Sequence, residues 1–256
     1  MPRASLARMA ESLPFDRVAD SYDQTRGGEQ RGRQFAEALA PHLLPGRVLE
    51  IGVGTGLVAA ALAQVHGVPA VGVDLSPAML THAHTRLGAR VAVGDARGLP
   101  VRDASVDNAF FAGALHVIVD VAAAFAEAVR VVRPGGRVLA LSASNDRDRH
   151  DAFAPLLAGL PGRDRVDLPE AVLAAATSAG LRTRESREVT VGAAATSPNQ
   201  IAETIETRAW SYLWNVDGAV WVSTVMPIVQ GLRDLPDPDE PRDRLLTFQL
   251  SVFERA

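Results

Sequence analysis

The chain has 256 residues, which at about 150 residues per domain corresponds to one elaborated domain or to a domain with a cap. It contains no cysteine, and all 26 of its basic residues are arginines. Without cysteine there can be no disulfide, thiolate nucleophile or iron–sulfur cluster, and without lysine no pyridoxal Schiff base or Walker A nucleotide site.

The net charge of the chain is −4, and no block of basic residues occurs along it. Proteins that bind nucleic acids through phosphate contacts usually present a basic face, so we expect no nucleic-acid partner. Residues 1–15 lack the apolar stretch of a signal peptide, and no run approaches about 18 apolar residues. The sequence therefore predicts a cytoplasmic protein without a membrane partner.

From residue 47 onward, short β-rich runs alternate with helical patterns, which is typical of an α/β sheet with helices on both faces. Helices are predicted at residues 57–66, 121–132 and 168–179, and another starts at Pro77 with Ser76 as its N-cap. Strands are predicted at residues 48–51, 70–74, 90–93, 106–112, 137–142, 182–191 and 246–253.

Two stretches interrupt this alternation. Residues 1–46 are predicted to form an N-terminal helical cap on a domain of residues 47–256, which contains a helical insert at residues 198–235. The insert holds Trp210, Tyr212, Trp214 and Trp221. Because Trp210 and Trp214 are four residues apart, they are predicted to share a helix face that Tyr212 does not share. The rings form a core that fixes the insert to the sheet, a lid over an apolar acceptor, or both, with different rings in each role.

A glycine-rich turn, Gly52, Gly54 and Gly56, follows the first predicted strand and opens a helix. Glycines allow a ligand to approach the backbone there, and open α/β sheets bind ligands at this edge. Asp74 and Asp95 end the next two strands. We interpret them as an adenosine site, in which Asp74 accepts hydrogen bonds from the ribose hydroxyls and Asp95 accepts one from the exocyclic amine of adenine. The alternative is that both acids only cap their loops.

The same turn also fits a dinucleotide site, because residues 54–59 read G-x-G-x-x-A and Asp74 lies 20 residues after Gly54. An NAD-dependent oxidoreductase is therefore an alternative. That interpretation leaves Glu50 unexplained, since a carboxylate beside the turn would repel a pyrophosphate. Glu50 can instead order the turn and meet a cationic group of a ligand.

Six segments, taken in order, resemble those of the class I S-adenosylmethionine-dependent methyltransferases, of the small-molecule kind typified by methyltransferase types 11 and 25. They are residues 50–56, 74–80, 94–100, 105–116 and 133–136, with an N-terminal segment at residues 15–26. The resemblance covers residues 15–142. It departs from many relatives at Val117, where a second histidine would follow His116.

The resemblance implies a three-layer, Rossmann-like sheet of seven strands in the order 3-2-1-4-5-7-6, with strand seven antiparallel, beneath a helical lid. It also implies S-adenosylmethionine as the cofactor. Carried over by position, the resemblance implies that the turn with Gly52, Gly54 and Gly56 holds the methionine part, beside Glu50. It places the ribose at Asp74 and the adenine at Leu75, Asp95 and Ala96. The sulfonium would lie beside Ala112, and Tyr22 and Arg26 would close over the carboxylate end.

Methyl transfer from a sulfonium is an in-line displacement that mainly requires alignment of donor and acceptor. A base is needed only when the acceptor must lose a proton, and His116, just beyond the fourth strand, is the candidate. The alternative is a structural histidine that packs on the following helix. No residues show metal-ligand spacing, so we expect no metal.

The sequence thus predicts an enzyme that methylates a small, largely apolar molecule at oxygen or nitrogen. A protein that keeps the cofactor site without methylating remains a further alternative. The acceptor and the oligomeric state are not predicted.

Overall fold

The computed structural model describes residues 14–145, 150–161 and 166–256 of the chain. Its strands are β1 (Val48–Ile51), β2 (Ala70–Asp74), β3 (Val91–Val93), β4 (Val106–Ala112), β5 (Val132–Ala143), β6 (His150–Asp151), β7 (Leu181–Thr196) and β8 (Arg242–Arg255). Its helices are α1 (Ala19–Thr25), α2 (Gly28–Leu39), α3 (Leu57–His66), α4 (Pro77–Leu87), α5 (Val121–Val131), α6 (Ala154–Leu157), α7 (Pro169–Ser178), α8 (Pro198–Glu206), α9 (Gly218–Val220) and α10 (Met226–Arg233).

One mixed sheet organises the molecule. Its strands follow the order β3-β2-β1-β4-β5-β8, with β7 on the other side of β8. The pairs from β3 to β5 are parallel, and β8 is antiparallel to both β5 and β7. The predicted order is confirmed, with β7 and β8 as its sixth and seventh strands. The count of seven is wrong by one, because β6 adds a two-residue pairing to β8.

Helices cover both faces of the sheet, which explains why the central strands are apolar on both sides. One core lies under α2, α3 and α4 and includes Phe35, Leu62 and Phe110. The other lies under α5 and α7 and includes Phe111 and Phe125. In the described part of the chain, no helix is long and apolar enough to cross a membrane.

Local signals set most of the element ends. Ser76 caps α4 as predicted, since its Oγ accepts a hydrogen bond from Met79 N at 3.1 Å.

The turn predicted at residues 134–136 lies inside β5, where the strand bulges. Val132 pairs with Val106 and Arg137 pairs with Asn108, so four residues of β5 span one residue of β4.

A third apolar cluster forms a lid over the carboxyl ends of the strands. It joins α8 and α10, which lie in the predicted insert, to α6, which the sequence did not assign to it. Between α9 and α10 the chain makes a π-helical turn, Trp221–Val225. The buried members of the cluster are Phe153, Leu157, Leu160, Ile201, Ala202, Ile205, Trp210, Leu213, Val225, Val229 and Leu232.

The prediction that Trp210 and Trp214 share a helix face is wrong. Helix α8 ends at Glu206, Trp210 has an extended backbone, and only a short 3-10 turn, Ser211–Leu213, separates the two residues. Trp210 stacks on Tyr212, with ring centroids 5.7 Å apart. Trp214 instead meets Phe15 edge to face at 4.8 Å.

Candidate active site

A cavity of about 1750 Å³ opens above the carboxyl ends of the central strands, between the sheet and the lid. Pockets for one ligand usually measure about 300–1,000 Å³, so this cavity has room for two molecules. Its position is the edge at which open α/β sheets bind ligands. His116 lines it, and so do ten of the eleven residues predicted to bind the cofactor: Tyr22, Arg26, Glu50, Gly52, Gly54, Asp74, Leu75, Asp95, Ala96 and Ala112.

The glycine turn is built by close packing. Gly52 has φ +77°, and a Cβ there would lie 2.5 Å from Ala114 Cβ, so a side chain would not fit. Gly56 is the predicted residue that does not line the cavity. It is the left-handed N-cap of α3 and lies behind the turn, where a Cβ would be 3.2 Å from the Cα of Ala83.

Asp74 holds the turn from the end of β2. Its Oδ2 accepts a hydrogen bond from Gly54 N at 2.8 Å, and its Oδ1 accepts one from Ser76 N at 2.9 Å. Burial raises the pKa of the Asp74 carboxyl, although hydrogen bonds from backbone N–H groups oppose the rise. The acid therefore caps its loop and also lines the cavity. Each carboxylate oxygen has a second lone pair with which to accept a ligand hydroxyl.

Glu50 is the most deeply buried acid of the cavity wall, with 2% of its surface exposed. Its Oε2 accepts a hydrogen bond from Ala59 N at 3.0 Å, which ties β1 to α3. Burial raises the pKa of the Glu50 carboxyl well above its usual range, and the nearby charge of Asp74 adds to the rise. A cationic group placed beside Glu50 would restore its ionised form.

Asp95 is engaged by its own loop. Arg97 donates to the carboxylate through Nε, at 3.0 and 3.1 Å, and through Nη2 at 2.6 Å. These hydrogen bonds lower the pKa of Asp95, and the carboxylate stays ionised. An adenine amine would have to donate to those lone pairs of the Asp95 carboxylate that do not accept from Arg97. The sequence signal that could have revealed this ion pair is the arginine that follows Asp95 by two residues.

The N-terminal segment, residues 14–27, is fastened to the glycine turn by contacts that the sequence did not reveal. Asp23 accepts hydrogen bonds from Thr55 Oγ1 and from Arg86 Nη2, both at 2.6 Å. Arg86 also donates to the carbonyl oxygen of Thr55 at 2.7 Å. Asp16 accepts a short hydrogen bond from Ser76. The segment thus closes one side of the cavity.

Arg26 connects this segment to the lid. Its Nη2 donates to the carbonyl oxygen of Ala209 at 3.1 Å, and its Cζ lies 5.5 Å from the centre of the Tyr22 ring. Its Nε is buried and has no hydrogen-bond partner among the described residues. A buried donor without a partner is costly, so this N–H is suited to an acceptor group on a ligand.

His116 lies on the 3-10 turn Leu115–Val117 after β4 and faces the lid. Its Nε2 is 3.4 Å from Ser211 Oγ, which belongs to the lid. Ala112, at the end of β4, lines the same cavity. The histidine is therefore placed between the end of the central strand and the lid.

The matching family model and the curated relatives are methyltransferases. A methyltransferase-domain family model matches residues 49–140. An uncharacterized methyltransferase of Mycobacterium tuberculosis is 38% identical over 161 residues, which are 59% of this chain and 65% of the relative. A demethylmenaquinone methyltransferase of Mycobacterium sp. strain KMS is 36% identical over 163 residues, covering 61% of this chain and 69% of the relative.

A solved structure shares the fold over almost its whole length. It is an S-adenosylmethionine-dependent methyltransferase of Thermotoga maritima, described as a possible histamine N-methyltransferase. It superposes with a TM-score of 0.57 at 20% identity, covering 94% of this chain and 98% of that one.

The chain belongs to the class I S-adenosylmethionine-dependent methyltransferases. The family assignment confirms the resemblance read from the sequence, and the cofactor of this family is S-adenosylmethionine. This family assignment replaces the alternative of an NAD-dependent oxidoreductase.

Proposed function

We propose that this enzyme transfers the methyl group of S-adenosylmethionine to oxygen or nitrogen of a small, largely apolar molecule by in-line displacement. One observation carries the proposal: a single cavity joins the glycine turn and its acids to a second pocket under the lid. The methyl donor and the methyl acceptor can therefore lie next to each other in one continuous cavity. A blocked pocket above Ala112 would favour a protein that keeps the site without methylating, whereas Ala112 lines the open cavity.

The residues at the sheet edge fit the cofactor as a zwitterion with an attached nucleoside. Glu50 would meet the ammonium or sulfonium charge, and Gly52 and Gly54 would border the methionine part. Asp74 would accept the ribose hydroxyls, while Asp95, Ala96 and Leu75 would border the adenine. The unpartnered Nε of Arg26 supports its role, with Tyr22, at the carboxylate. The bound cofactor supplies an electrophilic methyl group with its leaving group already activated.

The pocket under the lid supports an apolar acceptor. Leu157, Ile201 and Trp210 line it from the lid, and Leu246 lines it from β8. Such walls hold an acceptor by burial of its apolar surface and exclude water. Fixing the acceptor atom in line with the methyl group can supply about 7–11 kcal/mol of the barrier reduction.

The proposal is tested by incubating the protein with methyl-labelled S-adenosylmethionine and an extract of its host. We expect label in a small organic molecule that is soluble in organic solvent. The Asp74→Ala variant is the matched control, since it should bind the cofactor more weakly and transfer less label at a limiting cofactor concentration. Label that appears only in protein or nucleic acid would contradict the proposal.

The affinity for S-adenosylhomocysteine should rise with pH above the ordinary pKa of a glutamic acid, about 4.3. Because burial raises the pKa of Glu50, its carboxyl carries a proton to higher pH in the free enzyme. The ligand ammonium lowers that pKa, so binding releases a proton and strengthens as the proton concentration falls. Calorimetric titrations at several pH values measure the slope.

The variant Glu50→Gln is the control for this profile. It should bind more weakly and with a flatter dependence on pH, because the group that releases the proton is gone. An equally steep profile in Glu50→Gln would show that Glu50 is not the acid concerned.

For a hydroxyl acceptor, His116→Ala should lower turnover by about 10²–10⁴-fold, the usual contribution of a general base. For an acceptor that is nucleophilic without losing a proton first, such as a neutral amine, turnover should change little. In both cases the affinity for S-adenosylhomocysteine should stay the same. A large loss of cofactor affinity would assign His116 a structural role on its turn, as the alternative holds.

A further inference from the structure

A serine near the end of β5 has a buried hydroxyl without a hydrogen-bond partner. Ser142 is 1% exposed, and it lines the cavity. Its Oγ has no partner among the described residues. Folded proteins pair most of their buried polar groups, and an unpaired one destabilises the fold. An unpaired hydroxyl in the wall of a cavity is therefore suited to a ligand.

The polar side chains beside Ser142 on the same face of the sheet are engaged with one another. Gln249 lies opposite Ser142 on β8, and its Nε2 donates to Ser186 Oγ at 2.7 Å. Ser186 Oγ in turn lies 3.3 Å from Ser251 Oγ. These three residues are not part of the cavity wall. The serine hydroxyls behind the wall are thus paired, whereas that of Ser142, at the wall, is not.

Ser142 lies on the acceptor side of the proposed reaction centre. The strand order sets β3, β2, β1 and β4 side by side under the proposed cofactor site, and β5 comes next. Ala112 of β4 pairs with Leu141, the residue before Ser142. Gly113 N donates to the carbonyl oxygen of Leu141 at 2.9 Å, so the turn that leads to His116 starts beside Ser142. The hydroxyl is therefore placed where an acceptor would meet the methyl group.

The chemistry of this wall favours an uncharged oxygen group on the ligand. A serine hydroxyl carries no charge, and it can donate one hydrogen bond. Leu157, Trp210 and Leu246 give the acceptor pocket apolar walls. Apolar walls hold a ligand without fixing its orientation, which a small number of placed polar groups then determine.

We propose that Ser142 is a specificity-determining residue, whose Oγ–H donates a hydrogen bond to a carbonyl or hydroxyl oxygen of the acceptor, near the atom that is methylated. The unpaired hydroxyl destabilises the free enzyme, and the acceptor removes this penalty when it binds. This inference rests on the proposed function and adds to it an oxygen group that the acceptor must carry.

The first measurement compares the melting temperatures of two full-length alanine variants without ligand. Ser142→Ala removes an unpaired hydroxyl, so it should melt at the temperature of the wild type or higher. Ser251→Ala is the matched control, because Ser251 is as deeply buried but has Ser186 as its partner, and its melting temperature should fall. A lower melting temperature in Ser142→Ala would assign the hydroxyl a structural role and overturn the inference.

The second measurement follows the transfer of label from methyl-labelled S-adenosylmethionine to a dilution series of host extract. Ser142→Ala should need about two to ten times more extract for half-maximal labelling, as loss of one neutral hydrogen bond allows. Its affinity for S-adenosylhomocysteine should stay that of the wild type. An unchanged requirement for extract, or weaker binding of S-adenosylhomocysteine, would contradict a role at the acceptor.

The third measurement uses the absence of cysteine from the chain, which allows a single thiol to be placed at position 142. Ser142→Cys is treated with methyl methanethiosulfonate, a small uncharged reagent, with and without saturating S-adenosylhomocysteine, and its mass is followed. We expect modification at least about ten times faster than in Ser251→Cys, and S-adenosylhomocysteine should not slow it. A thiol that stays unmodified, or that S-adenosylhomocysteine protects, would place the side chain away from the acceptor and overturn the inference.

Failure of the proposed function is distinguishable from failure of this inference. A wild type that neither binds S-adenosylhomocysteine nor transfers label would count against the proposed function. The melting temperatures and the thiol reaction without S-adenosylhomocysteine would still decide whether Ser142 presents an unpaired hydroxyl to the cavity.

Discussion

Replacing Asp74 with alanine is expected to weaken the binding of S-adenosylhomocysteine by about tenfold or more. The proposed ribose contacts are hydrogen bonds to a charged acceptor, each worth about 1.5–3 kcal/mol, and about 1.4 kcal/mol corresponds to a factor of ten. The variant also removes the acceptor for Gly54 N and Ser76 N, which loosens the turn against which the cofactor lies. Calorimetric titration measures the effect directly.

Two further variants separate these causes. Asp74→Asn keeps one acceptor oxygen for the turn but loses the charge, so we expect an intermediate affinity. Asp103→Ala removes a carboxylate whose side chain is 78% exposed, and it should bind as the wild type does. If Asp74→Ala binds S-adenosylhomocysteine normally, Asp74 does not hold the ribose, although the family assignment would stand.

The sheet could be predicted because its signals are local. A glycine turn after a buried strand, an acid at the next strand end and a Ser-Pro helix start are each read within a few residues. Helix α3 has the predicted bounds, 57–66, and β4 has the predicted bounds, 106–112. The strand order came from the resemblance, since periodicity does not specify which strands are neighbours.

The lid was harder to predict because its parts are short and distant in sequence. Helix α6 has four residues, too few to show a period, and it joins the lid by packing Leu156 and Leu157 against the insert. The spacing of Trp210 and Trp214 suggested a helix, but Arg208 takes φ +51° and the chain turns before either ring. Arg208 then stacks on Trp221 at 4.0 Å and donates to three carbonyl oxygens of residues 213–216.

The partners of the site residues were missed for a related reason. Thr55 and Arg86 meet Asp23 across 32 and 63 residues of sequence, so no pattern along the chain connects them. Each acid of the site was predicted to face a ligand, yet Asp74 and Asp95 also hold their own loops. Sequence spacing places a carboxylate at a strand end, whereas only the packed structure shows which donors it already accepts from.

Asp151→Ala is expected to destabilise the protein by about 3–5 kcal/mol, because it leaves a buried arginine without its counterion. The Asp151 side chain is fully buried, and that of Arg244 is 12% exposed. Arg244 Nε lies 3.1 Å from both carboxylate oxygens, and Phe153 N donates to Oδ1 at 3.0 Å. These contacts fix the start of the lid to β8. Urea unfolding measures the change in the free energy of unfolding.

The exposed pair Arg233 and Glu206 provides the matched control. Its side chains are 43% and 31% exposed, so Glu206→Ala should change the free energy of unfolding by less than about 1 kcal/mol. A comparably small change in Asp151→Ala would mean that water reaches Arg244 and that the pair does not hold the lid. Since the pair lies at the lid end, the folded variant should bind S-adenosylhomocysteine as the wild type does.

The double variant Asp151→Ala with Arg244→Met identifies the source of the loss. If the cost comes from the stranded charge, an apolar side chain beside Phe153 should recover most of the stability, as replacement of buried ion pairs by packed apolar groups often does. If the hydrogen bonds of Asp151 themselves hold the lid, the loss should persist. Arg244 also lines the cavity. If the double variant regains stability but loses methyl transfer, Arg244 contributes to the acceptor pocket as well as to the stability of the lid.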